Sequence, residues 1–255
     1  MTQARPLRDA GLAITQLAVV PLPVRWPDTG TPDVASHYVW AGFVVGAVGY
    51  APLRALELLD APWHQHASIF AALVLAAWAV VTRFLHWDGL ADTADGWFGT
   101  TPENRREIAS DTYAGAFGAT AIALVALVEC AALASVLVDH ELFVLVIPAL
   151  SRLAATAAAW LGRAAKPAGL GAAVVRRPTP LGVVSAAVGT TIAFVLLVGA
   201  YGLAGLGIAT LGLALALVVP HLVAQRFGGV TGDVMGASIL LVETLLMVAA
   251  AVVMS

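Results

Sequence analysis

The sequence predicts an all-α fold: a polytopic integral membrane bundle of about seven transmembrane helices, with its N-terminus in the cytoplasm. Three observations carry this. The 255 residues are 60% hydrophobic and only 11% charged, with a mean hydropathy of +0.89, whereas soluble domains carry about 25% charged residues. The apolar residues fall in runs close to the roughly 20 residues that cross a bilayer as a helix. The 13 Lys and Arg residues concentrate in alternate loops, as the positive-inside bias requires.

Taken in order, residues 1–36 form an N-terminal interfacial or re-entrant segment. Arg5 and Arg8 precede an apolar run, Leu12 to Val24, which Pro21 and Pro23 interrupt. No small-residue cleavage site follows, so the segment does not read as a signal peptide. The expected spans are 37–59, 67–86, 112–137, 141–161, 180–200, 203–225 and 233–254. The ten-residue alternation of a membrane β-barrel is absent. Cys130, the single cysteine, lies inside the third span and reads as a small apolar core residue. Trp40, Trp87, Trp97 and Trp160 fall near span ends, where an aromatic belt places them.

Arg5, Arg8, Arg25, Arg83, Arg105, Arg106, Arg163, Lys166, Arg176, Arg177 and Arg226 all fall before the first span or in the loops after the second, fourth and sixth. The loops near 60–66, 138–140 and 201–203 hold no Lys or Arg. Only Arg54 sits towards the wrong side. This asymmetry places the long loops, 87–111 and 162–179, in the cytoplasm.

The loop 87–111 opens with the most informative stretch of the chain, His86-Trp87-Asp88-Gly89-Leu90-Ala91-Asp92-Thr93-Ala94-Asp95-Gly96. In a helix, Asp88, Asp92 and Asp95 share one face at spacings of four and three. Like charges so placed repel, so the face makes little sense as packing. It makes sense as a cage for a hard divalent cation, which prefers oxygen ligands. His86 is a candidate base or a support for a metal-bound aspartate. Thr101-Pro102-Glu103 reads as a helix start, and Asp111 closes the loop.

The loop 162–179 joins Arg163, Lys166, Arg176 and Arg177 with glycines, a combination suited to phosphate. Gly228-Gly229-Val230-Thr231-Gly232-Asp233 opens the last span. Asp233 either caps that helix or is delivered by the turn to a ligand or metal. Glu129, Arg152 and Glu243 lie inside spans, where a charge costs roughly 2.5–3.5 kcal/mol on insertion scales. Pairing is therefore expected, Arg152 with Glu243 first and Glu129 as the alternative. The remaining histidines show no ligand spacing.

These motifs resemble the cobalamin synthase family, the adenosylcobinamide-GDP ribazoletransferases. The family pattern F-H-x-D-G-L-A-D-T-x-D-G is met by Phe84 to Gly96, with Leu85 between Phe84 and His86. Trp87 stands where an acidic residue often does. The similarity continues through Thr101-Pro102-Glu103, Asp111, Gly115 and Gly118, Ser151-Arg152, Gly169-Leu170-Gly171 and Gly229 to Ala237, and Glu243 matches a further acidic position. The resemblance implies that adenosylcobinamide-GDP is joined to a ribose hydroxyl of α-ribazole, or of its 5′-phosphate, with release of GMP. It implies Mg2+, or Mn2+ in its place, and a site facing the cytoplasm in the inner membrane. On that reading Asp88, Asp92 and Asp95 hold the metal. His86 and Asp233 are catalytic, and Asp111, Arg152, Lys166, Thr231 and Glu243 contact substrate. The partners are the corrinoid nucleotide donor, the ribazole acceptor and membrane lipid. Nucleic acid is not expected, and small-residue faces such as Gly42, Gly46 and Gly49 allow homo-oligomers.

Other readings fit less well. CDP-alcohol phosphotransferases carry Asp-Gly-x-x-Ala-Arg and a wider Asp spacing, whereas here Asp88-Gly89-Leu90-Ala91 is followed by Asp92, with no Arg. Membrane prenyltransferases usually carry two Asp motifs, and here there is one. A transporter would spread ionisable groups through the bilayer depth and show an inverted repeat. This chain clusters them at one face and has no repeat.

Overall fold

The computed structural model describes residues 5–27, 30–111 and 113–254, and the described chain is helical with no strand beyond an isolated bridge between Ala164 and Val230. The helices are α1 (Arg5–Leu17), α2 (Tyr38–Leu58), α3 (Ala67–Val81), α4 (Leu85–Gly96), α5 (Pro102–Ala109), α6 (Ala116–Val136), α7 (Leu142–Leu161), α8 (Leu170–Val174), α9 (Pro180–Phe227) and α10 (Gly232–Met254). Six of them are long and apolar enough to cross a membrane. This is a multi-pass membrane protein.

The 48 residues of α9 would reach about 70 Å at 1.5 Å per residue, more than twice a hydrocarbon core. The run is two arms. Gly202 has φ +56° and ψ −128°, a conformation that strains any residue with a Cβ, and there the chain reverses. A Cβ on Gly205 would lie 2.0 Å from the carbonyl oxygen of Leu197. Residues eight apart approach so closely only if the arms run antiparallel. The expected spans 180–200 and 203–225 are thus separate crossings, which makes seven among the described residues.

The core is built around α7, 83% of whose most apolar stretch lies inside the protein. Its neighbours are α2, both arms of α9, and α10. The apolar residues Phe143, Val146, Ile147, Leu150 and Ala154 are fully buried against Val45, Leu197, Ile208 and Leu246, among others. Bilayer-facing helices such as α6 keep apolar side chains on their outer surface instead: Leu124, Leu127 and Val128 are exposed.

The N-terminal segment is an amphipathic helix, with Asp9, Leu12, Ala13 and Leu17 buried at helical spacing and its apolar side against α2. The chain then runs past the end of α3, where the amide of Val19 donates to the carbonyl of Val81 (2.6 Å).

The expected second span, 67–86, ends sooner. The helix stops at Val81, and Arg83 (φ +53°) and Phe84 (φ +57°) adopt left-handed conformations that few non-glycine residues take. The chain restarts at Leu85 as a helix of its own. His86 and the three aspartates therefore sit on α4, a short helix outside the long crossings, where sequence reasoning assigned the aspartates to a loop. Trp87 does not join an aromatic belt. It is buried with Leu90, Ala79 and Leu240, because this face of α4 packs between α3, α6 and α10.

Candidate active site

Helix α4 turns its apolar side inwards and leaves Asp88 exposed and Asp92 and Asp95 half-buried on the opposite face. Gly89 sets its approach to α10. A Cβ there would lie 2.9 Å from the carbonyl oxygen of Asp233 and 3.2 Å from the Cα of Gly236. Only a glycine admits so near a backbone, and that nearness brings Asp233, in the first turn of α10, beside the α4 carboxylates. Burial first, then the charges of Asp88, Asp233 and Asp95, push the Asp92 carboxyl up to about 7. Crowded carboxylates hold on to a proton in this way.

Asp233 is not the cap of α10. That task falls to Thr231, whose Oγ accepts the amide of Val234 (3.1 Å) and lies 3.3 Å from Asp233 Oδ2, to which it can donate. The Asp233 carboxylate is left facing a cavity of about 230 Å3, lined by Lys166, Gly169, Leu170, Gly171, Thr231 and others. The two loops that form it are pinned together: Val230 N donates to Arg163 O (2.7 Å) and Ala165 N to Val230 O (3.0 Å). Lys166, far in sequence from Thr231 and Asp233, thus shares one cavity with them.

Asp95 differs from its two neighbours. Its carboxylate accepts the amides of Gly115 (2.7 Å) and Gly118 (2.8 Å) at the start of α6. Asp111 is exposed in the turn before that helix, and its carboxylate takes the amide of Tyr113 (3.3 Å).

Beneath α4 lies a buried polar cluster. Arg152 (1% exposed) on α7 pairs with Glu243 (3%) on α10, the partner expected first. Ser151 Oγ donates to Glu243 Oε2 (2.9 Å) and accepts from Arg152 Nη1 (3.0 Å). Arg152 Nη2 lies 3.3 Å from His86 Nδ1. Glu129, also fully buried, takes the hydroxyl of Thr244 (3.0 Å). Arg152 and Glu243 are sealed inside the bundle, where they satisfy each other's charge. His86, expected as a base or as a support for a metal-bound aspartate, is buried beside Arg152. A guanidinium only donates, so Nδ1 accepts and Nε2 carries the proton. Burial, and secondarily the Arg152 charge, hold the imidazole well below its ordinary pKa. His86 is a neutral strut under the Asp88 turn.

The sequence profile of the family described as cobalamin-5-phosphate synthase matches residues 9–251. The chain belongs to this family. It is 37% identical to an adenosylcobinamide-GDP ribazoletransferase of Syntrophobacter fumaroxidans, covering 94% of this chain and 97% of that one. Proteins of the same name from Acinetobacter baumannii (31% identical, 92% of this chain and 94% of the other) and Pseudomonas aeruginosa (32%, 90% and 93%) are similar over nearly their full length. No solved structure matches.

In this member of the cobalamin-5-phosphate synthase family, two supports of the site escaped sequence reasoning. Arg105 and Arg106 on α5 reach the C-terminal end of α9. Arg105 Nη1 donates to Arg226 O (3.2 Å), Arg106 Nη1 donates to Phe227 O, and Arg105 Nε donates to Trp97 O (3.2 Å). Cations there complement the helix dipole, and they tie the end of α4 to the loop that presents Asp233. In sequence they read only as topology charges. Asp33, 1% exposed, accepts Ser36 Oγ (2.6 Å), Thr179 N (2.7 Å) and Thr179 Oγ (2.8 Å), joining the N-terminal segment to the start of α9. Only its position just before a span hinted at this.

The metal expectation can be weighed on the donors present. Among the described residues, no group of three or more His, Cys, Asp or Glu side chains stands ready to hold a metal ion. Mg2+ does not require a preformed protein cage. It is usually held by one or two carboxylates together with water and substrate phosphates. Asp88 and Asp92, one turn apart and outside the ion pairs of the described residues, supply such a pair, so the residues fit the ion.

Proposed function

We propose that this protein joins adenosylcobinamide-GDP to α-ribazole or its 5′-phosphate and releases GMP, with Mg2+ (Mn2+ can substitute) held by Asp88 and Asp92. The observation that carries this reading is the convergence of α4 and α10: two free carboxylates on one helix stand beside Asp233, which faces the Lys166 cavity. The ribose hydroxyl oxygen forms a bond to the phosphorus that bears the cobinamide. The pyrophosphate P–O bond to GMP breaks and the bonding pair leaves with GMP. Asp233 takes the hydroxyl proton, since it lies at the cavity and its carboxylate is not spent on capping. Lys166 offsets phosphate charge. Mg2+ held by Asp88 and Asp92 would supply positive charge that offsets the negative charge developing on the phosphoryl and leaving groups. Arg152, Glu243 and His86 keep α4, α7 and α10 in register beneath the site. The Lys and Arg distribution supports placing this face on the cytoplasmic side of the inner membrane.

The test is turnover by purified protein in detergent or nanodiscs, with GMP release followed from adenosylcobinamide-GDP plus α-ribazole phosphate. Release that requires both substrates and Mg2+ is expected. Equal release without the ribazole acceptor, or in excess EDTA, would overturn the reading.

A further inference from the structure

We propose that the third aspartate of the motif, Asp95, is a positioning residue that caps α6, and that it does not ligate the metal; its effect on catalysis, though not the cap itself, rests on the reading above. Helix α6 begins at Ala116, its N-cap Gly115 offers no side-chain cap, and its first turn holds no acidic residue. Its leading amides would go unsatisfied, as helix N-termini do without a partner. Asp95 meets two of them from a different helix. It accepts the N-cap amide, Gly115 N, and the amide three residues on, Gly118 N. These are the two amides that a local capping box satisfies with two side chains. Here one carboxylate serves both, with one oxygen on each amide, and its charge faces the positive end of the helix.

The glycines complete the argument. A Cβ on Gly115 would stand 2.4 Å from Asp95 Oδ1, and one on Gly118 would stand 2.4 Å from Asp95 Oδ2. The start of α6 is thus shaped around this carboxylate. Its backbone is otherwise ordinary: Gly115 has φ −82° and ψ 178°, which any residue adopts. A serine at 115 would therefore be a normal N-cap once Asp95 is shortened and the space beside it cleared. The three aspartates divide into Asp88 and Asp92, which face the ligand, and Asp95, which locks α4 to α6 and holds the other two in place.

The experiment uses the full-length protein and Mg2+ alone as the probe, read by thermal melting in EDTA and in MgCl2, with turnover as a second readout. Asp95→Ala should melt about 2–5 °C lower in EDTA and lose turnover, yet keep the Mg2+-induced rise. Adding Gly115→Ser should restore both the EDTA melting temperature and most of the turnover. Asp95→Asn, which keeps one acceptor oxygen, should need Mg2+ within about threefold of the wild-type midpoint, whereas Asp88→Asn should need at least tenfold more. A tenfold rise in that midpoint for Asp95→Asn overturns the proposal. So does a double variant that regains stability without turnover, since Asp95 would then do more than cap. The EDTA melts involve neither metal nor substrate. They test the cap even if the assigned reaction is wrong.

Discussion

Arg152 Nη2 sits 3.3 Å from His86 Nδ1, and this contact assigns the tautomer of the imidazole. The acceptor atom is Nδ1, which the amide oxygen of asparagine reproduces and that of glutamine does not. His86→Asn should therefore keep more stability and turnover than His86→Gln. The glutamine variant leaves a buried guanidinium proton unpaired, at a cost of about 1–3 kcal/mol. Melting curves of the two variants decide it, and equal loss in both would remove the strut role. The sign of the pH effect also follows. The folded pKa lies below the ordinary 6.5, so this group contributes stability above pH about 6.5 that is lost as the pH falls through that value.

Removing Arg152 alone should be severe. Arg152→Met leaves Glu243 buried without its cation, and breaking such a pair costs about 3–5 kcal/mol. Combining it with Glu243→Gln removes the orphaned charge while Ser151 can still donate to residue 243. Most of the lost stability should return, which a double-mutant cycle on melting temperatures measures.

Asp88→Asn and Asp92→Asn should each lower turnover by roughly 10²-fold, the scale of losing one electrostatic element from an organised site. Their melting temperatures in EDTA should match or exceed wild type, because mutual repulsion is relieved. The stabilisation by Mg2+ should shrink in both. Early melting of either variant in EDTA would show that the carboxylates serve the fold.

The Asp92 carboxyl, pushed up to about 7, makes a pH prediction of opposite sign to that of His86. A raised acid binds its proton more tightly in the folded state, so its ionisation opposes folding. That penalty is present above pH about 7 and is relieved as the pH falls through 7 towards the unfolded value near 4. In EDTA, wild type should gain stability relative to Asp92→Asn between pH about 8 and 6.5. In Mg2+ the metal must displace the same proton, so its midpoint should rise as the pH drops.

Orientation has its own test. Single cysteines at Thr101 and Ala168 in a Cys130→Ala background should resist an impermeant thiol reagent in intact cells and react after lysis. Labelling of both from outside would place the site on the other face of the membrane.

How much of this was legible in the chain depends on the length scale of each interaction. Seven crossings, the helical face of Asp88, Asp92 and Asp95, the Thr101-Pro102 helix start and the Arg152–Glu243 pairing follow from hydropathy, spacing and the cost of burying a charge. Each is a property of one segment, or of the few ionisable groups a bilayer interior tolerates, so few alternatives compete. The break at Arg83 and Phe84 was not legible, since neither residue advertises a positive φ. Nor was the division of the aspartates, because spacing makes all three look alike on an isolated helix.

The sequence by itself determined that the chain is a helical membrane protein of the cobalamin synthase kind, with its carboxylates and its basic loops at one end of the bundle. Only the tertiary structure decided which groups are free to act. Asp95 is engaged by α6, Thr231 rather than Asp233 caps α10, His86 is held neutral by burial and then by Arg152, and Lys166 shares a cavity with Asp233. The physical reason is that a side chain's role is set by the donors and acceptors within about 3 Å of it. The Thr231 cap is local, but for Asp95, His86 and Lys166 the partners lie 20 to nearly 70 positions away in sequence, beyond the reach of any local pattern.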